Sequence, residues 1–237
     1  MNEATRTKKA AVYIDGYNLY YGRLRGTPYK WLDLPALFDN LMAVQDPACV
    51  VKAVKFFTAP ALGNFATHGQ ASVEAQGSYH RALLARHPER FSITFGTHSM
   101  DRDGSLMPVF VAGQKFDRTN RTRVWKIEEK KTDVNIAMAM YRDACKGEFD
   151  LAVLCSNDSD AEPVLAALRE DFPKLEIGVV APVRPPTVES TSRRHASTLQ
   201  QYAHWTRQYL LDAELLAAQL PATVPTRKKP VRKPGHW

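Results

Sequence analysis

Short apolar runs alternate with amphipathic stretches from Ala10 to Val180. Ala10-Ala11-Val12-Tyr13-Ile14 and Leu151-Ala152-Val153-Leu154-Cys155 are apolar throughout, as strands buried on both faces are. Val50 to Phe57, Phe91 to Phe95 and Leu175 to Val180 read as three more strands. Lys52 and Lys55 interrupt the first of these, which suits a place nearer a sheet edge or lysines that reach solvent. Between the strands lie helical patterns. Asp33 is an N-cap for a helix with Leu34, Leu37, Phe38 and Leu41 on one face. A second helix runs from about Ala71 to Arg86 and stops at His87-Pro88. Thr132 is an N-cap for a third, which ends at Gly147. A fourth begins near Asp160, because Pro163 fits a helix only near its start, and ends at Phe172-Pro173. Thr191 to Tyr202 and Thr206 to Leu220 read as C-terminal helices.

Strands alternating with helices give an α/β fold with a mostly parallel central sheet covered on both faces. Right-handed crossovers leave a few doubly wound topologies, and an order of about 3-2-1-4-5 places the first and fourth strands side by side at the centre. Four segments follow: residues 1–9 as a flexible N-terminus, 10–182 as the main domain with an irregular basic insertion at 97–121, 183–220 as a helical extension, and 221–237 as a disordered basic tail. Within the insertion, Met107 to Val111 and Arg123 to Ile127 read as two strands of a hairpin.

Composition narrows the class. The chain has 237 residues, 44% of them hydrophobic, enough for a real core and too many for a disordered polyelectrolyte. Three scattered cysteines form neither a disulfide framework nor a CxxC metal knuckle. No signal peptide or bilayer-spanning run is visible, so a cytoplasmic location is expected. The net charge of +7 favours an anionic partner, although Arg227, Lys228, Lys229, Arg232 and Lys233 put much of that surplus in the tail, where it would serve as an electrostatic anchor.

The chemistry-bearing residues collect at strand ends. Asp15 follows the first strand and Asp158 and Asp160 follow the fourth, where open α/β sheets bind ligands. Asp133 enters from the helix before the fourth strand. Each has an ordinary reading as a turn or cap residue. Together in one crevice they would repel one another, unless their pKa values rise or a cation neutralises them. Hard oxygen ligands without His or Cys suit Mg²⁺ or Mn²⁺, which would activate water and stabilise charge on a phosphoryl group. Asn18, Ser156 and Asn157 are neutral groups suited to orienting the acids or a water. Tyr17 is placed for base stacking, and Lys130 and Lys131 for phosphate contact.

Tyr13-Ile14-Asp15-Gly16-Tyr17-Asn18, Lys131-Thr132-Asp133-Val134 and Ser156-Asn157-Asp158-Ser159-Asp160, in that order, resemble the NYN domain, the LabA-like branch of the PIN-domain ribonucleases. The resemblance covers roughly Ala10 to Pro182. It implies a Rossmann-like PIN fold and a divalent-metal site made by Asp15, Asp133 and Asp158, with Asp160 as a fourth acid and Asn18 joining from the first turn. It also implies hydrolysis of RNA, single-stranded in this reading. PIN-type nucleases often carry a glutamate between the first and later acids; Glu74 is its candidate here. A non-catalytic RNA-binding scaffold is the alternative expectation. A haloacid-dehalogenase-type phosphatase is disfavoured, because Tyr17 stands where its second acid belongs. GxGxxG and GxxxxGK[ST] are both missing.

Overall fold

The computed structural model describes residues 7–186 and 197–237. The expected flexibility of residues 1–6, and the first part of the helix expected over 191–202, lie outside them. Strands β1 (Lys8–Asp15), β2 (Cys49–Thr58), β3 (Phe91–Phe95), β4 (Thr97–Met100), β5 (Ser105–Pro108), β6 (Arg121–Val124), β7 (Ile127–Lys130), β8 (Leu151–Cys155), β9 (Glu176–Val180), β10 (Trp205–Arg207), β11 (Thr223–Val224) and β12 (Val231–Arg232) are interleaved with helices. These are α1 (Gly16–Leu19), α2 (Leu34–Gln45), α3 (Gln70–Arg86), α4 (Thr132–Lys146), α5 (Glu162–Asp171), α6 (Ser197–Gln200) and α7 (Asp212–Ala217), with a π-helical turn at Tyr20–Leu24 straight after α1.

Six strands form one sheet in the order β10-β9-β8-β1-β2-β3, and all its pairings are parallel. This is a Rossmann-like α/β arrangement, extended by one edge strand beyond the five expected. The apolar runs explain the centre. β1 lies between β2 and β8, and its side chains alternate between two cores. Ala10, Val12 and Ile14 pack with Leu34, Leu37 and Phe38 of α2 and Leu83 of α3. Ala11 and Tyr13 pack with Ile136 and Met140 of α4 and Leu165 and Leu168 of α5. Asp33 accepts a hydrogen bond from Ala36 N at 3.2 Å and caps α2 as expected.

Several expectations change. β2 lies one strand in from the β3 edge and Lys52 reaches solvent, as expected, but Lys55 pairs with the buried Asp143, which also accepts from Tyr13 Oη at 2.6 Å. Thr132 does not cap α4; it is the helix's first residue, and its hydroxyl donates to Glu129 Oε1. The junction residue Lys131 takes φ 78°, a left-handed conformation costly for a residue with a Cβ. Thr206 and Arg207, expected to open a helix, instead continue strand β10 from Trp205. Gly178 makes that possible, since a Cβ there would run into the Trp205 ring. The insertion is an antiparallel arm in which β4 pairs β7 and β5 pairs β6, and Met107 faces Thr122.

The last segment is ordered instead of loose. β11 and β12 pair antiparallel, Val224 and Val231 join the core, and Trp237 packs on Trp31 and Tyr79 at centroid distances of 6.2 and 5.5 Å. Trp31 Nε1 donates to Pro221 O at 2.9 Å. Burial of these side chains ties the C-terminus to α2 and α3. Deleting residues 221–237 is therefore expected to lower stability by roughly 3 kcal/mol or more, read as a lower urea midpoint; an unchanged midpoint would show that the segment adds nothing.

Candidate active site

β1 and β8 end side by side, so Asp15 and Ser156 meet at the carboxyl edge of the sheet. Asp15 is only 3% exposed. Its Oδ1 accepts from Asn18 N at 2.9 Å, and its Oδ2 accepts from Asn18 Nδ2 at 2.8 Å and Ser156 Oγ at 3.0 Å. Ser156 Oγ in turn accepts from Asp158 N at 3.1 Å, and Asp158 Oδ1 from Asp160 N at 3.2 Å. Asp15, Asp133, Ser156 and Asp158 line one crevice with Ile136, Ala137, Leu154, Ala161 and Val164. It holds about 240 Å³ of space, part of it open to solvent.

The electrostatics follow from this packing. Burial raises the Asp15 pKa, while the Asn18 and Ser156 hydrogen bonds lower it in part, leaving it above the usual carboxylate range. Asp133, at the first turn of α4, is exposed on its outer side. Partial burial on the crevice side, then the charges of Asp15, Asp158 and Asp160, raise its pKa. Burial and the charges of Asp15 and Asp133 also raise Glu129, against the Thr132 hydrogen bond. Glu129 comes from β7 at the root of the arm. Glu74 does not line the crevice and is exposed on α3; Glu129 is the glutamate that the acids feel. The sequence did hold a signal for it, four residues before Asp133.

The remaining expected residues divide. Asn157 is buried beside Ser156 and lines a second cavity toward β9 and β10. Lys130 pairs with Glu128 at 2.7 Å, and Lys131 is exposed at the strained junction. Tyr17 is half-buried, and its hydroxyl lies 2.8 Å from His98 Nε2 of β4. Burial pushes the Tyr17 phenol up to about 12 and lowers the His98 imidazole.

The expected Mg²⁺ or Mn²⁺ site is not supported. The acids share a crevice, yet among the described residues no group of three or more His, Cys, Asp or Glu is arranged to hold a metal ion. At Asp15 the two oxygens already accept three hydrogen bonds from Asn18 and Ser156.

No protein-family model matches the chain. Among curated proteins it is 38% identical, over 253 aligned positions, to 6-hydroxy-3-succinoylpyridine 3-monooxygenase HspA of Pseudomonas putida. The alignment takes in 100% of this chain and 76% of that enzyme. The chain belongs to the HspA family. The expected ribonuclease activity, and with it the alternative of an inert RNA scaffold, is overturned by this relationship to a monooxygenase. A solved structure of a protein of unknown function from Vibrio parahaemolyticus shares the fold of this HspA relative, with a TM-score of 0.50 at 18% identity, over 89% of this chain and 96% of that one. No helix among the described residues is long and apolar enough to cross a membrane.

Asp15 gives a stability test. Because its folded pKa is raised, its contribution to stability is full below the unfolded pKa and is lost as pH rises through the folded pKa. Asp15→Asn removes the buried charge, and Asn18 Oδ1, buried without a partner, can turn to accept from the new amide. The variant is expected to be more stable than the parent at pH 7 by about 1 kcal/mol, with the gap closing as pH falls below the carboxylate range. Urea unfolding at pH 7 and in mild acid reads this; a variant less stable at pH 7 contradicts it.

Proposed function

We propose that the chain is an oxidoreductase of the monooxygenase type, acting on a hydroxylated nitrogen heteroaromatic ring at the crevice between β1 and β8. The observation that carries this reading is the 38% identity to HspA along the whole of this chain. The scaffold we propose is the NYN-like one, with its acids turned to proton handling.

The relative's name puts a hydroxyl on carbon 6 of a pyridine and the oxygenation on carbon 3, which lie para to one another. Removing the hydroxyl proton pushes electron density onto the para carbon and so prepares it for an electrophilic oxygen; as that carbon–oxygen bond forms, the acyl group already on the carbon leaves without the bonding electrons and is captured by water as the carboxylic acid. That step needs a general base with a pKa nearer the working pH than an ordinary carboxylate has. Asp133 is such a group: it stands at the crevice rim, open on one side, with its pKa raised. Asp15 is less free to take a proton, because both its oxygens are engaged. In this reading Asp15 and Ser156 hold the crevice floor, and Asp158 adds the negative potential that makes Asp133 more basic.

Monooxygenation sends one atom of dioxygen to the substrate and the other to water, so electrons must come from a reductant. A flavin commonly serves such chemistry, but the β1–α1 turn does not fit a dinucleotide. Asp15 already takes the Asn18 N–H, one of the donors a pyrophosphate would use. A Cβ on Gly16 would meet the Phe56 ring and Phe57 O at 2.7 Å, so this glycine serves packing against β2 rather than an open phosphate cradle. The crevice is narrow and partly open to solvent, so only the reacting edge of a ring enters it.

The test is oxygen uptake by the purified chain with a 3-acyl-6-hydroxypyridine and reduced nicotinamide, with and without free flavin. Uptake dependent on the pyridine is expected, and Asp133→Asn should cut kcat by about 100-fold. Uptake unchanged in Asp133→Asn contradicts its role as base, and no pyridine-dependent uptake under either condition contradicts the oxygenase reading.

A further inference from the structure

Beside the crevice, on the segment that leaves Asp15, aromatic side chains gather in water. Tyr17 and Tyr21 have ring centroids 5.6 Å apart, and Tyr20 meets Tyr21 edge-on at 5.1 Å. Tyr21 is 54% exposed and Tyr20 38%. Single exposed aromatics need no explanation, but clustered ones do. This cluster is also held in place. Tyr17 is tied to His98 of the arm through its hydroxyl. The π-helical turn at Tyr20–Leu24 carries Tyr20 and Tyr21, and such turns recur at functional sites. That turn is pinned at its end, where Arg25 N donates to Tyr20 O at 2.7 Å and Arg25 O accepts from Arg184 at 2.8 Å. The Arg25 guanidinium lies 5.5 Å from the centre of the Tyr21 ring, and among the described residues no carboxylate pairs with it.

We propose that Tyr17, Tyr21 and Arg25 form a recognition subsite for a planar heteroaromatic ring that bears a carboxylate. The ring lies against Tyr21, Arg25 takes the carboxylate, and the ring hydroxyl is presented to the acid-lined crevice that begins two residues before Tyr17. The chemistry is complementary. A flat electron-poor ring stacks on a phenol, and a guanidinium beside that phenol can contact both the ring face and an anion. Arg25 also answers an electrostatic difficulty, since the crevice acids would repel an anionic substrate. A cation at the outer end fixes its orientation, with the charged arm outward and the neutral hydroxyl inward. Because Tyr17 is already tied to His98, little of its side-chain freedom is lost on binding.

This inference rests on the proposed function for the identity of the ring, and the experiment separates the two. Binding to the full chain is measured by calorimetry for 6-hydroxypyridine-3-carboxylate and for 2-hydroxypyridine, which lacks the carboxylate, and oxygen uptake is followed in parallel. Tyr21→Leu keeps bulk without a ring face and is expected to weaken both ligands about tenfold. Tyr21→Phe should bind as the parent does. Arg25→Met should weaken only the carboxylate ligand, about tenfold, and abolish the salt dependence of its binding. Tyr21→Leu is expected to raise KM with kcat little changed. Equal binding by parent, Tyr21→Leu and Arg25→Met overturns the subsite and leaves the oxygenase reading standing. The expected losses without any oxygen uptake keep the subsite and overturn the oxygenase. A parent chain that binds neither ligand overturns the subsite.

Discussion

A carboxylate taken out of water at the end of a central strand is the constraint around which this molecule is arranged. Asp15 would be costly to bury alone. Three donors from two elements meet it: Asn18 N and Nδ2 from the turn it caps, and Ser156 Oγ from the neighbouring strand. The same contacts close the β1–α1 turn and join β1 to the loop after β8, so the switch point of the sheet is built on one charged group. They also decide its chemistry. Three of its acceptor positions are committed in this way, and burial, together with repulsion among the acids, appears as raised proton affinity at Asp133 and Glu129.

Much of the frame was legible in the chain. Ala10 to Ile14 and Leu151 to Cys155 read as central strands because every position is apolar, and they are neighbours in the sheet. Asp33 was readable as a cap because its side chain acts three residues away. The errors share a different cause, which is long-range pairing. Lys52 and Lys55 suggested a place nearer an edge or lysines in solvent, which holds for β2 and Lys52, but Lys55 finds Asp143, 88 residues away. The proline- and lysine-rich end suggested disorder, but Val224, Val231 and Trp237 find a core built by α2 and α3. Thr206 and Arg207 looked helical, but Gly178 gives the ring of the preceding Trp205 a place on β9 and the segment pairs as strand.

The site shows the same limit more sharply. Spacing relative to strand ends correctly gathered Asp15, Asp133 and Asp158 into one crevice. It could not say where each oxygen points. Asn18 and Ser156 looked like neutral helpers, yet they are the groups that use up Asp15. Glu129 escaped notice because it arrives on an arm whose pairing of β4 with β7 spans some thirty residues. The motifs that resemble the NYN domain sit on a Rossmann-like sheet, but a fold hosts many chemistries, and the identity to a monooxygenase overturns the hydrolytic reading of the aspartates and supports the oxygenase assignment proposed above.

The most direct measurement of that assignment is isotopic. The purified chain is given a 3-acyl-6-hydroxypyridine and a reductant under ¹⁸O₂, and the hydroxylated pyridine product is examined by mass spectrometry. The account predicts one heavy oxygen in the ring product, carried in from the gas. Product labelled only from H₂¹⁸O, or product formed equally well without dioxygen, would contradict it.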